Sequence, residues 1–109
     1  MKIPNKIFTV HIDVFYGLEF FQQSLHNIRN QTYSDLEIII SNNGALPEIQ
    51  DFIREQAQID SRIKVINYQQ NIFDFKDPEL KTYIICNDAL DVAKGEFFYY
   101  QSLLKFDYS

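Results

Sequence analysis

The sequence predicts an α/β fold, three layers deep, with a mostly parallel sheet and helices on both faces. Three observations predict it. Four short apolar runs alternate with three amphipathic stretches of helical spacing, the order that builds right-handed βαβ units. The run Ile38-Ile39-Ile40 has no polar alternation, as expected of a parallel strand covered on both faces. At 109 residues the chain is long enough for a real core and too short for two domains, so residues 1–109 are read as one.

Each element follows from its own pattern. Ile7–Val14 is rich in β-branched residues and reads as the first strand. Leu18–Asn30 places Leu18, Phe21, Leu25 and Ile28 at spacings of three and four, one face of a helix. Glu37–Ser41 is the second strand. Pro47 suits a first helical position and Glu48 the positive helix end, with Ile49, Phe52 and Ile53 forming the apolar face as far as Gln58. Arg62–Asn67 is a third strand of alternating character, and 68–76 is polar and irregular. Asp77 and Pro78 begin a third helix as N-cap and first residue, and Gly95 ends it where a left-handed residue is wanted. Glu96–Gln101 is the fourth strand. Repeats and low-complexity linkers are absent.

Composition excludes several functions. Ten basic residues stand against 15 acidic ones, a formal net charge of −5. The basic residues are scattered, which argues against a nucleic-acid groove, since phosphate backbones need clustered Lys and Arg. The single cysteine, Cys86, allows neither an internal disulfide nor a cysteine zinc cluster, and reads as a small buried hydrophobe. No apolar run approaches membrane-spanning length and the first residues do not form a signal peptide, so a reducing, cytoplasmic location is expected. The three glycines are not spaced as a dinucleotide-binding or P-loop motif. The aromatic residues of 97–109, Phe106 and Tyr108 among them, predict a sticky edge and self-association or a protein partner.

In a sheet of this kind ligands bind beyond the carboxyl ends of the strands, where strand order reverses. That directs attention to Asp13–Gly17, Ser41–Ala45, Asn67–Asn71 and the residues from Gln101 onward. Phe15 and Tyr16 offer rings to stack on a base, or simply cover the sheet end. Asn42 and Asn43 can pair with a base edge, or form an Asn-Asn-Gly turn of residues that tolerate positive φ. Lys76 is a candidate to neutralise a phosphate. His11 is read as a packed strand histidine and His26 as solvent-facing. Asn87, in line with Leu80 and Ile84 on the third helix, is read as a buried amide tied to a neighbouring loop, with ligand contact as the other reading.

Taken together, Asn27-Ile-Arg-Asn-Gln-Thr32, Glu37-Ile-Ile-Ile-Ser-Asn-Asn-Gly44, Asn71 and Asn87-Asp-Ala-Leu-Asp-Val-Ala-Lys-Gly-Glu-Phe97 resemble, in order, the N-terminal half of inverting family 2 glycosyltransferases with the GT-A fold, a Rossmann-like architecture. The resemblance implies a nucleotide-diphospho-sugar donor and a role in polysaccharide or glycolipid assembly, at the inner face of the membrane or free in the cytoplasm. It implies that Phe15 packs on the nucleobase, that Asn42 and Asn43 take the place of an acidic pair, that Lys76 meets the diphosphate and that Asn87 lies in the donor site. The family holds Mn²⁺ or Mg²⁺ on an Asp-x-Asp cluster. This chain has Ser102-Leu103-Leu104-Lys105 at that place and only Asp107 nearby. The expectations that follow are a weak or missing metal site, no catalytic residue assignable, donor binding without transfer by this chain alone, and, as the alternative, a non-catalytic interaction domain that keeps the fold.

Overall fold

A computed structural model describes residues 7–30, 35–68, 78–95 and 97–102. The elements run β1 (Phe8–Val14), α1 (Leu18–Arg29), β2 (Leu36–Asn43), α2 (Pro47–Ile59), β3 (Ile63–Tyr68), α3 (Pro78–Val92) and β4 (Phe97–Ser102). The four strands form one parallel sheet in the order β3-β2-β1-β4. The predicted α/β class and every predicted element are present, with boundaries shifted by no more than three residues.

The strand order fixes the layers. From β1 to β2 and from β2 to β3 the chain steps in one direction, so right-handed crossovers put α1 and α2 on the same face. From β3 to β4 it steps back across the sheet, which puts α3 on the other. Reversal between β1 and β4 marks the switch point.

The two faces are built differently. Side chains alternate along a strand, and one set (Val10, Ile12, Val14, Ile38 and Ile40) joins Phe21, Leu25 and Ile28 of α1 and Ile49 and Ile53 of α2 in one apolar core. Phe21 is fully buried and meets Phe52 edge to face, ring centroids 5.5 Å apart. Burial of each such side chain contributes roughly 1.5–3 kcal/mol. The opposite set is Thr9, His11, Asp13, Glu37, Ser41 and Asn43, all buried and polar, with Ile39 among them. From α3, Ile85 and Ala89 are fully buried, and that helix touches β1 and β2.

Glu37 organises the amino end of this second face. Its carboxylate accepts from the Thr9 hydroxyl at 2.7 Å, the Lys94 backbone N–H at 2.7 Å and the Gly95 N–H at 3.3 Å, and pairs with Lys64. Burial alone would push this carboxyl up, but the bonds from Lys64, Thr9 and Lys94 outweigh it and hold the group below its ordinary value. Lys94 and Gly95 are thereby clamped against β2, and against β1 through the Gly95 N–H, which also donates to the Thr9 hydroxyl at 3.1 Å.

Gly95 was expected to end α3 by adopting left-handed backbone. Instead α3 stops at Val92, and Gly95 is needed for close approach: a Cβ there would lie 2.1 Å from Thr9 Oγ1 and 2.7 Å from the Ile7 carbonyl oxygen. The proposed N-cap, Asp77, lies outside the described residues.

Candidate functional site

Two loops form the carboxyl edge between β1 and β2. After β1, Phe15 and Tyr16 meet edge to face at 5.7 Å, and Gly17, at φ 86°, precedes α1 as its N-cap. After β2 the chain turns at Gly44, at φ 64°. The Leu46 N–H donates to the Phe15 carbonyl at 3.2 Å, so the two loops are joined.

Asn42 and Asn43 were expected either to present amides to a ligand or to occupy the turn themselves. They are the last two residues of β2, and Gly44 alone takes the positive φ that a residue with a Cβ resists. Asn42 is buried at 6% exposure and holds the turn together. Its Oδ1 accepts from the Ala45 N–H at 2.9 Å, and its Nδ2 donates to Asn67 Oδ1 at 2.9 Å. Asn67 is its register partner on β3. Gln50 completes the arrangement, donating to the Ala45 carbonyl at 2.6 Å. Asn43, pointing to the opposite face by strand alternation, is fully buried.

The polar face continues to this edge. Asp13 is fully buried, and Tyr68 at the end of β3 donates to Asp88 of α3 at 2.5 Å. Burial, with the Asp88 carboxylate adding to it, pushes the Tyr68 phenol well up. Burial, with the Asp13 carboxylate adding to it, likewise pushes the Cys86 thiol up. Cys86 is half-buried, less enclosed than the sequence implied. His11 is fully buried, shares a 2.8 Å hydrogen bond with Ser41, and is lowered by burial to about 4, so it is a neutral packed residue at pH 7, as expected. His26 is exposed and accepts from Asn30 Nδ2 at 3.0 Å.

The expected buried amide of Asn87 is a correction: Asn87 is exposed. Among the α3 residues whose burial is described, Ile85 and Ala89 are buried, while Ile84 is 39% exposed. The apolar stripe therefore runs one residue, about 100° of helix rotation, away from the line drawn through Leu80 and Ile84, and Asn87 faces out. Adjacent isoleucines at 84 and 85 gave the pattern two readings.

The structure thus brings Phe15, Asn42 and Asn43 to one edge of the sheet, but in different settings. An open groove of about 480 Å³ lies between α2 and β3 and includes Asn42. A second, of about 350 Å³, lies at the amino end of the strands. Phe15 and Asn43 line neither. Lys76, Asn71, Asp107, Phe106 and Tyr108 lie outside the described residues. Sequence reasoning pointed to the Asn67–Asn71 strand end without giving Asn67 or Tyr68 a role, and missed Gln50 and Asp88. The pairing of Asn67 with Asn42 was in reach, since each is a polar residue at the end of a neighbouring strand.

Comparison with known proteins bears on this edge. The model of the family described as "Glycosyl transferase family 2" matches residues 9–72, from β1 through β3 and beyond. The chain belongs to glycosyl transferase family 2. It is 30% identical over 86 residues to a "Putative glycosyltransferase EpsH" of Bacillus subtilis, a match covering 79% of this chain and 22% of that protein. It is 31% identical over 64 residues to an "Uncharacterized glycosyltransferase" of Haemophilus influenzae, covering 59% of this chain and 20% of that protein. The chain thus matches about a fifth of the length of these curated relatives. The parallel sheet and its switch point agree with the GT-A half expected from the motifs.

The metal expected of the glycosyl transferase family 2 fold finds no fit among the described residues, where no group of three His, Cys, Asp or Glu is placed to hold an ion. Asp13 brings one buried carboxylate to the end of β1, and Ser102 rather than an acid stands at the end of β4. Also among the described residues, no helix is long and apolar enough to cross a membrane.

Proposed function

We propose that this chain supplies the donor-binding half of a glycosyltransferase, holding a nucleotide-diphospho-sugar across the carboxyl ends of β1 and β2. The observation that carries the reading is that the family match over residues 9–72 ends neither strand short: it includes both loops of the carboxyl edge beside the switch point, where open α/β sheets take their ligands. The Phe15 ring offers the base a stacking surface. Asn42 keeps the Gly44 turn open to the ligand through its bonds to Ala45 and Asn67, and its role is to position rather than to carry charge. Lys76 is assigned to the diphosphate, and the exposed amide of Asn87 to the same ligand's distal part. No described residue is assigned as catalytic base, since His11 is sealed within the sheet. Transfer to an acceptor, in polysaccharide or glycolipid assembly, is assigned to a protein longer than the matched fifth.

Calorimetric titration with UDP and UDP-sugars, with and without Mn²⁺, tests this. Binding in the micromolar to low-millimolar range, about −8 to −4 kcal/mol, that Mn²⁺ leaves unchanged and Phe15→Ala weakens supports the reading. Absence of binding by every nucleotide sinks it. Binding that Mn²⁺ strengthens revises the metal assignment and brings Asp107 back as a ligand.

A further inference from the structure

The groove between α2 and β3 shares Asn42 with the donor edge, where its bonds hold the Gly44 turn; the rest of its lining is not used by the donor reading. Along α2, Gln50, Arg54 and Gln58 recur every four residues and so share one helix face. Across from them stand Asn42 and Asn67, cross-strand partners joined amide to amide at 2.9 Å. Ile53 and Val65 form the apolar floor. The volume, about 480 Å³, falls in the range of small-molecule sites, roughly 300–1,000 Å³.

The chemistry of the lining selects the ligand. Four of its described side chains are carboxamides. Asn42 is committed at both ends and Gln50 at its donor, which leaves Gln50 Oε1, Asn67 Nδ2 and both ends of Gln58 to meet hydroxyl groups that also donate and accept. Among the described residues its one charged group is Arg54, exposed and beside Asp51 at 2.9 Å, so a phosphate would meet a single cation with a carboxylate next to it. Among the described residues no aromatic ring lines the groove, so they offer a nucleobase no stacking partner of the kind that such sites supply at about 1–3 kcal/mol per base. We infer that the α2–β3 groove is a binding subsite for a neutral saccharide of one or two rings, beside the donor edge. It stands on the groove alone and goes beyond the donor reading.

Side-chain amide resonances of the ¹⁵N-labelled full chain read this directly. The probes are glucose, galactose, N-acetylglucosamine and maltose, each raised to about 100 mM, since affinities near 1 mM correspond to about −4 kcal/mol. The expected result is saturable shifts of the Gln50, Gln58 and Asn67 side-chain signals with at least one sugar. Gln58→Ala, an exposed site, weakens that binding roughly 2–10-fold, the size of one net hydrogen bond. Ala57→Leu, at another lining residue, narrows the groove and abolishes binding, with the backbone ¹⁵N spectrum reporting that the fold is kept. Two results overturn the inference: no shift of these signals with any of the four sugars, or shifts produced by uridine or inorganic phosphate at lower concentration than by any sugar. UDP titrated separately reports on the donor edge through the backbone of residues 15–17 and 44–46, so either reading can fail without the other.

Discussion

The two faces of the sheet do different work. The face under α1 and α2 is a continuous apolar core in which Val10, Ile12, Ile38 and Ile40 meet Phe21, Leu25, Ile49 and Ile53. The face under α3 buries Thr9, His11, Asp13, Glu37, Ser41 and Asn43, and its order comes from directed bonds, chiefly those to Glu37 and the Tyr68–Asp88 pair. Apolar burial is non-directional and tolerates small shifts, whereas buried polar groups fix one geometry because each must be satisfied. The first face therefore carries stability, and the second sets where α3 and β4 sit beside the switch point.

Substitutions on each face sharpen that contrast. The largest loss is expected from Phe21→Ala, at about 3–5 kcal/mol of unfolding free energy for a fully buried ring, measured by urea denaturation. A loss below about 1 kcal/mol would break the claim that this face dominates. Next is the pH response of the polar face. His11 titrates at about 4 in the folded chain against about 6.5 when unfolded. The unfolded state binds the proton more readily, so this contribution is complete above pH 6.5 and is lost as pH falls toward 4, by up to about 3 kcal/mol at about 1.4 per unit. His11→Gln should flatten stability across that window, and an unchanged slope would contradict the burial argument.

Gly95→Ala should cost about 1–3 kcal/mol through overpacking against Thr9, with chemical-shift changes reaching β4. Thr9→Ala in the same chain should recover only part of it, because the Ile7 carbonyl remains close. Full tolerance of alanine would show that the clamp can open. The smallest effect belongs to the staple outside both faces, where Asp60 bonds Arg62 and Arg29. The Arg62 bond foremost holds the Asp60 carboxyl well below the usual carboxylate range. Its contribution is present above about pH 4, the unfolded value, and is lost as pH falls further. Asp60→Asn should remove under about 1 kcal/mol, given the solvent screening of its partly exposed partners, in full above that pH and progressively less below it.

How much of this was legible in the sequence differs by face. The apolar face was readable: Phe21, Leu25 and Ile28 kept helical spacing, and β1 and β2 announced themselves by β-branched residues. The family motifs Asn27–Thr32 and Glu37–Gly44 brought the fold with them. The polar face was not readable, because its determinants are long-range. Glu37 meets Gly95 across 58 positions, and Tyr68 meets Asp88 across 20, with no periodicity linking either pair. Gly95 was recognised as necessary, but for its φ rather than for the approach of Thr9. Asn87 was misplaced because Ile84 and Ile85 are adjacent and only packing chooses between them. Asn42 and Asn43 were found by position, yet their opposite orientations follow from β2 running on to Asn43, two residues past its expected end.

The central claim is that the carboxyl edge beside the switch point holds a nucleotide. The most direct measurement is a backbone ¹⁵N titration of the chain with UDP, residue by residue. The account predicts saturable shifts at Phe15–Gly17 and Gly44–Leu46, with the amino-end residues Asp35, Arg62 and Lys94 unmoved. Shifts confined to the amino end, or none at saturating UDP, would contradict it.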